Sequence, residues 1–287
     1  MDINESTNFD KTAWAEKKKA LREEVFAKVD EYLDQLPADP ESFQKYLNVQ
    51  GRFPQCSVSN AILITDQMPN ATEYHTFEDW KKKGVSIMKG ELGFNMLVPN
   101  GNYTGKDGLT RTRFDVQKVF DITQTNAVIA PNQENLQLVL KAMLYRPVVP
   151  IEVVNQLDKG AAFLPEENRI TIGKGMTVME GTQSLSMALA HGELSKLMQD
   201  YEPGLEKNSF YARCASYMVC RYYGVEPTSY NFLDVQKHLG GISGKDLRSQ
   251  LETIRSAART LIDRIEKGIK AIQDQERSQT EQERGGR

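Results

Sequence analysis

The sequence predicts an α+β protein in two parts, a small N-terminal α+β module followed by a mostly helical domain with a short β-hairpin. Three observations predict it. Apolar residues recur at helical spacing near both ends, as Leu21, Val25, Val29 and Leu33 and again as Leu247, Leu251, Ile254, Ala258, Leu261, Ile265, Ile269 and Ile272. Between them, residues 93–120 hold two strand-like runs around a glycine-rich turn. The length of 287 residues, with 39% hydrophobic and 26% charged side chains, suits two globular domains and excludes a collagenous or wholly disordered chain.

The first helix carries the stripe from Leu21 to Leu36 and stops at Pro37 and Pro40. A second runs from about Ser42 to Val49 before Gly51 and Pro54, and a third, capped by Ser57 or Ser59, covers Asn60–Ile64. Thr76–Gly84 reads as a short helix stopped by glycine. Gly93–Pro99 reads as a strand, residues 100–109 as a polar turn with Gly101, Gly105 and Gly108, and Phe114–Phe120 as the returning strand. A linker with Pro131 follows, then a helix around Leu136–Leu144 and the Pro147–Pro150 loop. Two short extended runs, Gly160–Leu164 and Arg169–Ile172, are joined by a turn at Pro165–Asn168. Thr182–Asp200 and Phe210–Tyr223 are helical, the latter ended by Gly224. Ser243 caps the last helix, whose apolar face docks on its own domain in the plainer reading and dimerises in the other. The expected domains are 1–125, a linker 126–134, 135–275, and a disordered tail 276–287.

The formal net charge is −3, so no strong overall field draws the chain to nucleic acid. Residues 1–40 carry 6 basic and 10 acidic groups, 41–125 carry 10 and 9, and 126–287 carry 20 of each. A polyanion site must therefore be a local patch. No apolar run reaches the ~18 residues of a membrane-spanning helix, and the acidic, polar start is unlike a secretory signal. Cys56, Cys214 and Cys220 are too few for a disulfide framework, which fits a reducing cytoplasm.

The phrases Ser59–Ile64, Gln67–Thr72, Phe77–Trp80 and Met88–Gly93, closed by Val119-Phe120-Asp121-Ile122-Thr123-Gln124-Thr125, resemble the N-terminal domain of the ArdC-like antirestriction family of conjugative plasmids and integrative elements. That resemblance covers about residues 12–125 and implies a module that binds single-stranded DNA. Single-strand binding needs cations for the backbone and flat rings for bases. Lys81, Lys82, Lys83, Lys89, Arg111, Arg113 and Lys118 supply the cations, with Trp80, Phe77, Tyr74 and Tyr103 between them. Alternation sends Arg111 and Arg113 to one face. Asn60 is the polar residue of the first phrase expected to have a specific partner. The plainer reading of Trp80 and Phe77 is core, and of the lysines a solvated helix end.

Residues 160–172, Leu189-Ala190-His191, and Tyr211–Cys220 resemble the zinc-peptidase domain of ArdC-like and ImmA/IrrE-like proteins, over about 135–270. A zincin helix reads His-Glu-x-x-His, because residues at i and i+4 share a face and both imidazoles meet one metal while the Glu activates its water. Here the window is His191-Gly192-Glu193-Leu194-Ser195. Gly192 stands at the general base and Ser195 at the second ligand. The resemblance puts the third ligand at Arg213, a cation. Glu193 lies two residues from His191, about 200° round the helix, so the two cannot chelate one ion without a bulge. Cys214 beside Arg213 would give His191 one partner, still short of three ligands.

The expected function is therefore a single-stranded DNA-binding protein of a mobile element, antirestriction or counter-defence, with a catalytically inactive zincin-like domain and no cofactor or metal. Its expected partners are single-stranded DNA and a host-defence or element-encoded protein, with no membrane and the oligomeric state left open. The alternatives are a zinc peptidase acting on DNA-bound or regulatory proteins, and a protein-interaction module that dimerises through 247–272.

Overall fold

The structure, a computed structural model, describes residues 11–128, 135–147, 149–155, 160–199, 201–202, 204–226 and 230–285. Residues 129–134 of the expected linker therefore fall outside the described residues, as do Val148 and Asp200 of the segments read above.

In chain order the first elements are helices α1 (Lys11–Gln35), α2 (Pro40–Arg52) and α3 (Val58–Gln67), strand β1 (Tyr74–His75), helix α4 (Phe77–Lys82) and strands β2 (Phe94–Thr104) and β3 (Thr110–Asp121). Helix α5 (Leu136–Leu144) is followed by strands β4 (Ile151–Val154), β5 (Ala161–Leu164) and β6 (Arg169–Gly173). The chain ends on helices α6 (Val178–Leu197), α7 (Glu206–Tyr222), α8 (Val235–Leu239) and α9 (Gly244–Gly285). Among the described residues no helix is long and apolar enough to cross a membrane.

Contacts divide the chain into two units. The first takes residues 1–34 and 62–129, the second 35–61 and 130–287. Residues 35–61, expected in the N-terminal module, thus pack in the second unit: α2 lies against α7, and the Val58 amide donates to Glu252 of α9 at 2.8 Å.

In the first unit an antiparallel sheet of order β1-β3-β2 carries the long hairpin. The strands run further than composition suggests. β2 continues to Thr104 through an irregularity between Pro99 and Asn102, and the turn closes where the Gly105 amide donates to Leu109. Gly108 takes φ +76°, which only glycine adopts without strain. Val25, Val29 and Leu33 of α1 are buried, as are Ile62–Ile64, Trp80, Phe94, Met96, Leu97 and Val119.

Several residues of the recognised phrases hold this unit together. Asp121, fully buried, accepts from the Thr72 amide (2.7 Å), the Glu73 amide (3.2 Å), and the Thr123 amide and hydroxyl (3.0 and 2.6 Å). Gln67 bonds the Asn95 backbone in both directions, at 3.1 and 2.9 Å. Gln124 donates to Glu91 and to the Leu92 carbonyl, tying down the loop before β2.

The second unit pairs helices with a three-stranded sheet of order β4-β6-β5. β5 and β6 form the expected hairpin, turning at Asn168 with φ +46°, but β4 is an added strand that runs parallel to β6. Its core centres on α7 against α2, α6 and α9, with Phe43 stacked on Phe210 (5.8 Å) and edge-on to Phe232 (5.6 Å). α6 starts at a capping box, Thr177 with Glu180, four residues before the segment read as helical. Leu247, Leu251, Ile254, Ala258, Leu261 and Ile265 of α9 are buried within this unit, as the docked reading of that face expects, while Ile269 and Ile272 are only half-buried. α9 also runs on to Gly285, where a disordered tail was expected from residue 276: its polar composition is compatible with a solvated helix.

Candidate nucleic-acid interface and the α6–α7 cleft

In the first unit the candidate DNA-binding residues do not form one cluster. Trp80 is a core residue: its ring is 2% exposed and its Nε1 donates to the Phe120 carbonyl at 2.8 Å. Stacking on a base would need the face that the core already covers. Lys83 bonds Glu73 Oε1 and His75 Nε2, both at 2.7 Å, and lies over the Trp80 ring. The hydrogen bonds to Glu73 from Lys83, first, and from His75 Nε2 (2.9 Å), next, hold its carboxyl below its usual range. Lys82 pairs with Asp79 at 2.9 Å across one helical turn. Lys81 and Lys89 are exposed. Lys118 donates to the Gly93 carbonyl at 3.2 Å. Asn60, whose amide donates to the Ser57 hydroxyl in the first turn of α3, belongs to the second unit.

On the hairpin, Arg111 is closed on Asp107, which lowers the Asp107 pKa. Arg113, two residues on, points over the Tyr103 ring at 5.9 Å from its centroid. Five residues separate Arg113 from Lys118, an odd number, so the two leave opposite faces of β3. Arg113 and Tyr103 border a cavity of about 270 Å³ with Thr112, Phe114 and two residues of α1, Arg22 and Phe26. Sequence reading passed over α1 here, although its i, i+4 spacing of Trp14, Lys18, Arg22 and Phe26 was there to be seen.

In the second unit the window His191–Ser195, set against the zincin pattern above, lies on α6. His191 Nδ1 is 2.5 Å from the Tyr201 hydroxyl, and burial pushes the imidazole pKa down to about 4. Gly192 is buried, and Ser195 donates to the Gly192 carbonyl at 2.9 Å. Glu193 is buried and meets Arg264 of α9 at 2.7 Å, as a close charge contact rather than an aligned hydrogen bond. Arg213 of α7 reaches both Asp234 oxygens through Nη2, at 2.6 and 2.5 Å, and its guanidinium lies near the Phe210 and Phe232 rings. Burial works against ionisation of Asp234, but the Arg213 hydrogen bonds and charge outweigh it and lower its pKa. Cys214 is fully buried, and burial raises its thiol pKa.

These residues do not fit a divalent ion. His191 could offer one imidazole nitrogen, Nε2, but Ser195 supplies only a neutral hydroxyl that donates to a carbonyl, and Arg213 brings positive charge. Among the described residues, no group of three His, Cys, Asp or Glu side chains is placed to hold a metal. What the cleft does offer is a cavity of about 280 Å³ beside Arg213, lined also by Gly160, Gln183, Ser184, Met187 and Tyr230.

No protein-family profile matches the chain. A Bacillus anthracis protein described as uncharacterized, pXO2-81, is 22% identical over 330 aligned positions, covering 93% of this chain and 54% of that protein. The chain thus spans about half the length of the curated relative it matches. Among solved structures, metal-free antirestriction protein ArdC from plasmid R388 superposes with a TM-score of 0.50 at 14% identity, over 74% of this chain and 85% of that one. Its Mn(II)-bound form gives 0.44 at the same identity, over 74% and 84%. The α+β fold of this chain is therefore similar to that of ArdC.

Proposed function

We propose that this chain is a single-stranded DNA-binding protein of a mobile genetic element, cytoplasmic, acting against host restriction or a related defence. Its second unit is zincin-like and grips rather than cuts. The observation that carries the reading is Arg213 closed on Asp234 on the helix where the peptidase pattern needs a ligand. A guanidinium there repels a divalent cation, and the neighbouring polar atoms are turned to one another. Support for DNA binding comes from the ArdC-like fold and from the exposed Arg113–Tyr103 pair on the hairpin. The cavity beside Arg213 is of a size to hold a side chain of a host-defence or element-encoded protein.

Fluorescence anisotropy with a labelled oligothymidylate, compared with a duplex of equal length, tests the DNA reading. Micromolar or tighter single-strand binding that weakens with added salt is expected, as phosphate contacts release counterions. Equal affinity for duplex, or none at low salt, would overturn it. Elemental analysis after loading with zinc or manganese tests the second unit, and one ion held per chain would overturn its reading.

A further inference from the structure

We infer that the groove between α1 and the β2–β3 hairpin is the single-strand track of the first unit, with the row Trp14, Lys18, Arg22 on one side and Tyr103 with Arg113 on the other. This rests on the reading of the first unit as a single-strand binder, and it names the place and the residues. Residues four apart on a helix are neighbours on its surface, so Trp14, Lys18, Arg22 and Phe26 form one row. Lys18 Nζ lies 4.2 Å from the Trp14 ring centroid, and Phe26 meets Phe114 of β3 edge-on at 6.5 Å. That last contact seats the row against the hairpin, and the cavity of about 270 Å³ lies between them.

The chemistry of the groove suits a single strand. Trp14 is 48% exposed and Tyr103 43% exposed, so each offers a ring face, and each has a cation beside it. Bases stack on such rings whatever their sequence, while the cations follow the phosphates. Lys18, Arg22 and Arg113 bring three positive charges. Among the described residues the carboxylate that pairs with them is Asp115, which lies 3.8 Å from Lys18 and 3.7 Å from Arg22 and also accepts from Asn100. A positive surplus therefore stays in the groove. It does not stay on α4, where Lys82 and Lys83 are each matched by a carboxylate. The two places are well separated along β3: Trp80 of α4 bonds Phe120, seven residues from Arg113, or roughly 23 Å of strand.

The test uses the full chain and the same labelled oligothymidylate. Tyr103→Ala and the charge reversal Arg113→Glu, both on the exposed hairpin, are each expected to raise Kd roughly ten-fold. Charge reversal of Lys81 and Lys82 together should change it less than about two-fold. As a readout independent of folding, wild-type tryptophan emission should be quenched on saturation, and Trp14→Phe should abolish the quenching while binding persists. Wild-type binding that survives the groove variants but is lost with Lys81 and Lys82 reversed overturns the groove and leaves the single-strand reading standing. Quenching undiminished in Trp14→Phe overturns the groove as well. Wild-type protein that binds no single strand overturns both.

Discussion

Gly192, which the resemblance aligns with a metallopeptidase's general base, can be replaced with alanine to measure how tightly α6 packs there. An ideal Cβ at Gly192 would lie 3.9 Å from two Phe163 ring carbons and 3.9 Å from a Val149 methyl, which is ordinary van der Waals contact. Alanine gains ~1 kcal/mol over glycine inside a helix. Covering one methyl with Phe163 and Val149 adds up to ~0.8 kcal/mol. Gly192→Ala should therefore stabilise the second unit by about 1–2 kcal/mol, a Tm rise of roughly 3–6 °C for a unit of this size. Calorimetry is the suitable assay, because two units can melt in separate transitions and the one carrying α6 must be followed. Gly51→Ala is the control, with the same propensity gain but a Cβ 2.9 Å from the Met218 carbonyl and 3.1 Å from the Arg221 Cβ. Overpacking of α2 on α7 costs about 1–3 kcal/mol, so this variant should melt lower. A Gly192→Ala protein that melts at or below wild type would refute the reasoning, since α6 would not then run as a packed helix past that residue.

Asp121→Ala removes the acceptor of four hydrogen bonds at the β1–β3 junction and leaves the Thr72 and Glu73 amides without it. A loss of about 2–4 kcal/mol is expected, read as a lower urea midpoint of the first unit with the second unmoved. His191 takes no proton in the folded state until about pH 4, whereas the unfolded chain protonates it near 6.5. Its stability contribution is thus full above about pH 6.5 and is lost as pH falls toward about 4. Wild type should lose about 2 kcal/mol more than His191→Gln between about pH 7 and pH 5 in paired urea titrations. Arg264→Met strands the buried Glu193 carboxylate and should cost about 3–5 kcal/mol, unless a second change, Glu193→Gln, accompanies it and restores much of the loss.

Local pattern exposed the parts of this molecule that local physics decides. The 4-3 spacing of Leu247–Ile265 is the buried face of α9, and the alternation through Phe114–Phe120 is β3. Pairings made across long stretches of chain were not legible. β4 follows Pro150 and looks like the rest of a loop, because its hydrogen bonds go to β6, nearly twenty residues on and parallel. Phe43 and Gly51 read as parts of an N-terminal helix, and only their packing on Phe210 and Met218 sends them to the second unit. Trp80 shows the same limit at a candidate site. The plainer reading makes it core, as it is, but the partner that fixes its indole, the Phe120 carbonyl, lies forty residues away. The cations at the α1 groove escaped notice for the converse reason: Lys18 and Arg22 look like any solvated helix face until the hairpin supplies Tyr103 and Arg113 opposite them.

Charge accounting ties the two units to one view of function. A chain with a net charge of −3 holds a polyanion only where cations outnumber carboxylates locally. In the second unit the charges are matched in pairs, Arg213 with Asp234 beside the cleft and Glu193 with Arg264 of α9, so neither carboxylate is left to draw a metal. At α4 and the hairpin tip the pairs Lys82–Asp79, Lys83–Glu73 and Arg111–Asp107 do the same. At the α1 groove, by contrast, Lys18 and Arg22 share Asp115, and the guanidinium of Arg113 lies over a tyrosine ring. A phosphate entering there would meet two cations that share one carboxylate and a third that faces a ring, which favours that groove over the lysine-rich helix as the proposed single-strand track.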